Sequence, residues 1–199
     1  MGWSWNNPGG GWNYPEVTVG TDFGHWKPST SPSFPVKYGN INTWTSEITY
    51  KYTTKPTGSW WNLAYDLYWM SNSDGTGTKK YNIMIWIDTN AGTSSSCKAG
   101  QDVSDGINTY TYCHDPSSKG WPWDAFILKP KQSNPIVGQT YTHKVNIKAL
   151  IDTINNPEFT GHDAWYIPDT KLGSENENGV GAIEISKYIL NVNGRMINN

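Results

Sequence analysis

The chain has 199 residues, of which 36% are hydrophobic and 16% are charged, and its formal net charge is −2. This length suits one domain with a sizeable hydrophobic core. Because no run of five or more Lys or Arg residues occurs, nucleic acids and anionic membrane surfaces are poor candidates as partners. No apolar stretch approaches the roughly 20 residues that a membrane-spanning helix needs, so we expect no membrane segment.

Twelve tryptophans make the chain unusually rich in indole side chains. Few charges, together with many Ser, Thr, Asn, Gly and aromatic residues, argue against a helical bundle and favour a β-sheet protein. The indoles outnumber what a core of this size needs, so we expect some of them to face a ligand.

Alternation of apolar and polar residues predicts most of the secondary structure as strands, with turns at clusters of Gly, Ser, Asp and Pro. One segment, 147–155, instead spaces its apolar residues at i, i+3, i+4 and i+7, which predicts a helix. In chain order we predict an aromatic N-terminal arm at 1–35 with one or two edge strands, strands at 41–53, 60–70 and 81–88, a Ser/Gly-rich excursion at 89–120 with a strand at 107–113, strands at 123–129 and 139–146, the helix, and strands at 165–175 and 181–193.

Many short strands with one short helix predict an all-β fold, in which two antiparallel sheets pack as a sandwich. Neither an internal repeat nor a low-complexity linker interrupts the sequence. We therefore expect residues 1–199 to form a single domain.

The strands predicted at 60–70 and 81–88 carry the clearest signal of a binding site. Each has one purely apolar face, which suits a core, and an opposite face that mixes carboxylate, amide, methionine and aromatic side chains. A face in bulk solvent would carry more Lys, Glu and Thr, as the strand at 41–53 does, so we predict that the mixed faces form a groove. The groove-facing residues are Asn62, Ala64, Asp66, Tyr68 and Met70 on one strand and Asn82, Met84, Trp86 and Asp88 on the other.

Two cysteines, Cys97 and Cys113, are too few for a disulfide-dense scaffold or a four-thiolate zinc site. Their positions suit a disulfide across the long excursion, which we predict; the alternative is two free thiols in a reducing compartment. The four histidines show no metal-ligand spacing, so we expect no metal and no cofactor. The sequence also lacks a Gly-x-Ser-x-Gly motif and a phosphate loop, which argues against serine hydrolases and nucleotide enzymes.

Four segments match one known family in order and spacing. They are 14–20 (YPEVTVG), 62–67 (NLAYDL), 81–87 (YNIMIWI) and 172–175 (LGSE). With the helix at 147–155, they make the chain resemble glycoside hydrolase family 12 over nearly its whole length. That family comprises retaining endo-β-1,4-glucanases and xyloglucanases with a jelly-roll fold.

The resemblance implies a concave groove that binds β-1,4-glucan or cello-oligosaccharides and hydrolyses them internally with retention of configuration. In that chemistry a nucleophilic carboxylate attacks the anomeric carbon while a second carboxyl, about 5–5.5 Å away, protonates the leaving oxygen. By position, Glu175 matches the general acid/base, and Asp66 matches the carboxylate that supports the nucleophile. We expect a monomer that is secreted, any signal peptide having been removed.

The chain departs from the family at Asn82, which stands where the family has its nucleophilic Glu. An amide can neither form a stable glycosyl ester nor supply negative charge to the transition state. Three explanations stay open: a natural relative without catalysis, an introduced substitution, or a nucleophile supplied by another carboxylate. Asp88 is predicted to point the same way as Asn82 but lies some 20 Å along the strand, whereas Asp66 on the neighbouring strand is the better substitute.

Substrate-binding residues are assigned from the groove face and from exposed indoles. Flat indole faces suit the apolar faces of glucose rings, although each could instead seal an edge of the sandwich. The assigned residues are Asn62, Met84 and Trp86 in the groove, and Trp12, Trp26, Trp121 and Trp123 in loops or at strand ends. Two functions remain, an endo-β-1,4-glucan hydrolase impaired at Asn82 and a catalytically silent glucan-binding protein, and Asn82 is the feature that separates them.

Overall fold

The structure, a computed structural model, describes residues 1–22, 29–74, 77–90, 100–116, 120–132 and 134–198. Within these ranges the chain is mostly β-strand. The strands are β1 (Gly2–Asn13), β2 (Glu16–Gly20), β3 (Val36–Lys37), β4 (Trp44–Thr54), β5 (Trp60–Met70), β6 (Lys79–Thr89), β7 (Gln101–Ser104), β8 (Thr109–Asp115), β9 (Trp123–Gln132), β10 (Thr140–Asn146), β11 (Tyr166–Ile167), β12 (Asp169–Gly173), β13 (Asn176–Val192) and β14 (Arg195–Asn198). The helices are α1 (Ile147–Ile151) and the 3-10 turns Tyr38–Asn40, Pro157–Phe159 and His162–Ala164.

The strands form one curled sheet whose main path runs β10-β4-β13-β5-β6-β9-β8-β7. Strand β13 joins two halves: it pairs with β4 along most of its length and with β5 at Asn176 and Glu177. The halves face each other across the core, where the Tyr65 hydroxyl of β5 donates to the Ser46 hydroxyl of β4 at 2.8 Å. The predicted all-β sandwich is confirmed, with the two layers continuous through β13.

One strand pairing differs from the expected antiparallel pattern. Strands β6 and β9 are parallel, whereas β9 is antiparallel to β8, and β8 to β7. The reason is the long excursion after β6, which turns back through β7 and β8 before β9 returns beside β6. Parallel neighbours need such a long connection, and alternation within single strands carries no information about it.

The core between the halves is dominated by aromatic and β-branched side chains. In β4, alternate residues from Trp44 to Tyr52 are buried, which is the period of two that the predicted strand at 41–53 requires. In β5 and β6, the predicted apolar faces are buried as well, including Leu63, Tyr65 and Ile85. The opposite faces of β5 and β6 thus turn away from this core, as a groove requires.

The helix is shorter than predicted and ends at Ile151 rather than at residue 155. Its start is capped by Asn146, whose side chain accepts from the Ala149 N–H at 3.1 Å. After Ile151 the chain tightens into i→i+3 hydrogen bonds, the last from the Ile154 N–H to the Ile151 carbonyl. The apolar spacing therefore continues for one turn beyond the α-helical hydrogen bonds.

The predicted pairing of Cys97 with Cys113 stays a prediction. Cys113 is buried in β8, but Cys97 lies outside the described residues. Among the described residues, no helix combines the length and apolar character that crossing a membrane requires.

A β-bulge in β6 reverses the direction of Asp88. The register between β5 and β6 is interrupted here: Trp86 pairs with Ala64, but Asp88 pairs with Leu63, so Ile87 is an extra residue. Asp88 is only 1% exposed. The prediction that Asp88 points the same way as Asn82 is therefore wrong, because a bulge breaks the period of two.

Inside the core, two tyrosine hydroxyls of β4 donate hydrogen bonds to the Asp88 carboxylate. Tyr50 and Tyr52 donate to its Oδ2 at 2.7 Å and 3.0 Å. Burial nevertheless dominates and raises the pKa of Asp88 to about 6. The folded state thus holds this proton more tightly than the unfolded chain, whose aspartates titrate near about 4.

The Asp88→Asn variant should therefore flatten the pH dependence of stability. The protonated form stabilises the fold fully below about pH 4, and this contribution is lost as the pH rises through about 6. We expect the loss in unfolding free energy to be at most about 3 kcal/mol in the unsubstituted protein and largely absent in Asp88→Asn. Denaturant titrations between pH 4 and pH 7 measure it. Asp163→Asn, which changes an exposed carboxylate, is the matched control, and equal profiles for both variants would contradict the prediction.

Candidate active site

An open cleft of about 250 Å³ lies where β2, β5, β6 and β12 meet, on the groove side of β5 and β6. It brings together the two carboxylates predicted from the sequence, Asp66 and Glu175. The lining residues are Tyr14, Pro15, Glu16, Asn62, Ala64, Asp66, Met84, Gly173, Ser174 and Glu175. The predicted residues Asn62 and Met84 thus also belong to this cleft.

Glu175 lies between β12 and β13 and is held there by Asn62. The Asn62 amide donates to Glu175 Oε2 at 2.8 Å, and its Oδ1 accepts from the Glu175 N–H at 3.0 Å. A third bond joins the Asn62 N–H to the Glu175 carbonyl at 2.9 Å. Asn62 is itself buried and holds Glu175 in place, and its predicted contact with substrate stays a prediction.

Asp66 and Asn82 are in direct contact, as the resemblance predicted. Asn82 Nδ2 donates to Asp66 Oδ1 at 2.6 Å and to the Leu67 carbonyl at 3.0 Å. The other Asp66 oxygen, Oδ2, accepts from the Tyr68 hydroxyl at 2.7 Å. Burial raises the pKa of Asp66, although the bonds from Tyr68 and Asn82 act in the opposite direction.

Tyr68 was predicted to face the groove but was not assigned a role in the site. Its signal was available, because residues two apart on a strand share a face and Tyr68 follows Asp66 at that spacing. What the sequence does not reveal is that the hydroxyl turns back along its own strand to the carboxylate.

An ion-paired cluster borders the cleft and was also missed. Lys171 of β12 donates to Glu16 Oε1 at 2.6 Å and to Asp22 Oδ1 at 2.8 Å, and it is buried. Burial alone would lower the pKa of Lys171, but the charges of Asp169, Asp22 and Glu16 more than offset it and raise the pKa. Burial raises the pKa of Glu16, with Lys171 opposing the change.

Tyr14 stands near both carboxylates of the cleft. Burial raises the pKa of its phenol, and the charges of Glu175 and Asp66 raise it further. Tyr14 therefore lies within electrostatic range of both Glu175 and Asp66.

Aromatic rings extend from Tyr14 in a continuous row. Ring centroids are 6.2 Å apart for Tyr14 and Trp12, 4.9 Å for Trp12 and Trp60, 5.4 Å for Trp60 and Trp86, and 6.1 Å for Trp86 and Trp123. Trp12 is 51% exposed and Tyr14 is 48% exposed, whereas Trp86 is 3% exposed. The expected stacking of a sugar on Trp86 is therefore corrected: this indole is covered by its neighbours, and the open faces belong to Trp12 and Tyr14.

The remaining predicted indoles have separate surroundings. Lys79 Nζ lies 3.9 Å from the ring centroids of both Tyr68 and Trp121, so this ammonium occupies the space between the two rings. Trp123 is half-buried against Trp86. Trp26 lies outside the described residues.

The chemistry available in the cleft is proton transfer between carboxyl groups and a bound molecule. Glu175 and Asp66 can each give or accept a proton, while Asn82 is neutral and uses its amide to donate. In the described part of the chain, no group of three or more His, Cys, Asp or Glu side chains could hold a metal ion.

Comparison with known proteins places this fold and sequence beside glucan hydrolases. No family model matches the chain. "Endoglucanase S" of Pectobacterium parmentieri is 26% identical over 202 residues, which cover 96% of this chain and 71% of that protein. "Probable xyloglucan-specific endo-beta-1,4-glucanase A" of Aspergillus clavatus is 25% identical over 154 residues, which cover 73% of this chain and 58% of that protein. The solved "Native family 12 xyloglucanase from Bacillus licheniformis" has a TM-score of 0.72 at 23% identity, covering 96% of this chain and 81% of its own.

Removing the Asn62 side chain should destabilise the protein through Glu175. Asn62→Ala leaves the Glu175 N–H without its acceptor, and an unsatisfied buried donor costs about 1–3 kcal/mol. We expect a loss of that size in unfolding free energy, measured by denaturant titration. Asn42→Ala, at an exposed asparagine, is the control and should change stability by less than about 0.5 kcal/mol. Equal losses for the two variants would rule out this role of Asn62.

Proposed function

We propose that this chain, which has the fold of glycoside hydrolase family 12, belongs to that family and that its cleft binds and hydrolyses β-1,4-glucan chains internally. The observation that carries the proposal is the pairing of Glu175 and Asp66 in one cleft, with Asn82 bonded to Asp66. Relatives named as endoglucanase and xyloglucanase support the substrate class. Because glucan polymers lie outside cells, we also propose that the protein acts there, as a monomer without a cofactor.

In the proposed reaction, Glu175 is the general acid that protonates the leaving oxygen. Asn62 holds both its backbone and its carboxyl group, which supports a fixed position relative to the bound glucan. An acid fixed in this way contributes through orientation as well as through proton transfer.

Nucleophilic attack on the anomeric carbon is the step of the retaining reaction for which this chain has no carboxylate at the matching position. Asn82 occupies the proposed nucleophile position, and an amide does not form a stable bond to the anomeric carbon. Asp66 keeps its proposed supporting position beside residue 82. We therefore propose that the retaining reaction is blocked at Asn82, which makes the protein a slow hydrolase.

Glucan binding without catalysis is the second candidate, and the bonding of Asn82 favours it. Its amide is shared between Asp66 and the Leu67 carbonyl, so Asn82 is integrated into the surrounding strands. The exposed rings of Trp12 and Tyr14 would serve either function, because both need a surface on which glucose rings stack.

Restoring a carboxylate at position 82 separates the two candidates. We expect Asn82→Glu to raise hydrolysis by about a thousand-fold, equivalent to roughly 4 kcal/mol of activation free energy, because a nucleophile is regained. Release of reducing ends from carboxymethylcellulose, barley β-glucan and xyloglucan measures it. Adding Glu175→Ala should remove most of the gain. An Asn82→Glu protein that binds these glucans but hydrolyses them no faster would favour the silent binding protein.

Trp12→Ala should weaken glucan binding whichever candidate holds. Its exposed ring offers the flat apolar surface that a glucose ring covers, and its loss should reduce cellohexaose affinity about ten-fold. Isothermal titration calorimetry measures the affinity. Met196→Ala removes an equally exposed apolar side chain from β14 and is the control. Unchanged affinity in Trp12→Ala would place the glucan elsewhere.

A further inference from the structure

We propose that Asp66 is the general base of this cleft and that the chain, with Asn82 in place, hydrolyses glucans slowly with inversion of the anomeric configuration. The inference rests on the proposed function, since it requires a β-1,4-glucan in the cleft and Glu175 as its acid. It assigns the slow reaction to a different carboxylate, a different attacking atom and a different stereochemical outcome.

The first support is the way in which Asp66 is held. One carboxylate oxygen accepts from Asn82 Nδ2 at 2.6 Å and the other accepts from the Tyr68 hydroxyl at 2.7 Å. Each oxygen of a carboxylate has two acceptor positions, so each retains one for a water molecule. Asp66 also lines the cleft and is partly exposed, and the proposal places the attacking water on that side.

The second support is the charge of the neighbour. A glutamate at position 82 would place two carboxyl groups in contact, and such a pair tends to share one proton. The amide of Asn82 instead donates a hydrogen bond, which favours the carboxylate form of Asp66 that a general base requires. Burial raises the pKa of Asp66 at the same time, which makes this carboxylate a stronger base than an exposed aspartate.

The third support is that Glu16, another carboxylate of the cleft, is less suited than Asp66 to act as the general base. This carboxylate also lines the cleft, but its Oε1 accepts a hydrogen bond from the buried Lys171 ammonium at 2.6 Å. The ammonium occupies one oxygen of Glu16 and opposes the rise in pKa that burial causes there, which makes Glu16 a weaker proton acceptor than burial alone would. Asp66 accepts from the neutral Asn82 amide and the neutral Tyr68 hydroxyl, and the charges of Lys171 and Lys79 lower its pKa without reversing the rise that burial causes.

The step balances with water as the only co-reactant. The water oxygen forms a bond to the anomeric carbon while its proton passes to Asp66. The bond from that carbon to the glycosidic oxygen breaks, and the leaving oxygen takes both bonding electrons and the proton of Glu175. The proton on Asp66 then exchanges through solvent, and Glu175 is protonated again, so no glycosyl-enzyme is formed.

The test compares products and rates for the unsubstituted protein and four variants. Cellohexaose is hydrolysed in buffer containing methanol, and products are quantified by chromatography and NMR. A glycosyl-enzyme passes its sugar to methanol and gives a methyl β-glycoside, which does not mutarotate, so even a slow reaction leaves a stable record. The variants are Asp66→Asn, Glu16→Gln, Asn82→Glu and the control Asp102→Asn, whose exposed carboxylate binds Lys129.

We expect the unsubstituted protein to release free sugars slowly, without methyl β-glycoside. Asp66→Asn should reduce the rate by about a hundred-fold or more, the usual contribution of a general base, and Asp102→Asn should leave it unchanged. Cellohexaose affinity measured by calorimetry establishes that Asp66→Asn is folded. Should that variant not fold, Tyr68→Phe removes one donor to Asp66 and should reduce the rate by about ten-fold with affinity retained.

Several results would overturn the inference. They are methyl β-glycoside from the unsubstituted protein, a rate unaffected by Asp66→Asn, and a rate lost in Glu16→Gln instead. If Asn82→Glu is active and forms methyl β-glycoside while the unsubstituted protein is inert, the inference fails but the proposed function stands. If neither protein binds or cleaves cellohexaose, the proposed function fails as well.

Discussion

The passage of the chain from β12 to β13 is the constraint on which the rest of the structure depends. Strand β12 belongs to one half of the sheet, β13 joins both halves, and Glu175 lies at the point of transition. Three hydrogen bonds to Asn62 fix that point against β5. The same contacts therefore close the sandwich and set the position of the acid, so the geometry of the cleft is inseparable from the closure of the fold.

Much of the fold was predictable because alternation is a local property. The inward faces of β4, β5 and β6 follow from the period of two, and one short helix follows from apolar spacing. The parallel pairing of β6 with β9 depends on contacts between distant segments and leaves no local signal. The bulge at Ile87 likewise arises where β6 meets β5, and for that reason Asp88 was placed on the wrong face.

The cleft was predictable in part, through resemblance for Glu175 and Asp66 and through strand alternation for Met84. Lys171 and Glu16 were not found because they are 155 positions apart, and neither strand alone marks a cluster. The burial of individual side chains was also not predictable from the sequence. The sequence does not distinguish an indole that is exposed, as in Trp12, from one that is covered by its neighbours, as in Trp86. Only the neighbours that pack upon a ring decide which it is.

The amide of Asn82 has a consequence for how this protein could change over evolutionary time. It satisfies two acceptors at once, a carboxylate oxygen of Asp66 and the main-chain carbonyl of Leu67, within a buried stretch of β5 and β6. An ionised glutamate at that position would satisfy neither, since it carries no proton to donate. Selection for stability and selection for a nucleophile thus act in opposite directions on one side chain, and a lineage released from the need to cleave glucan would retain the amide.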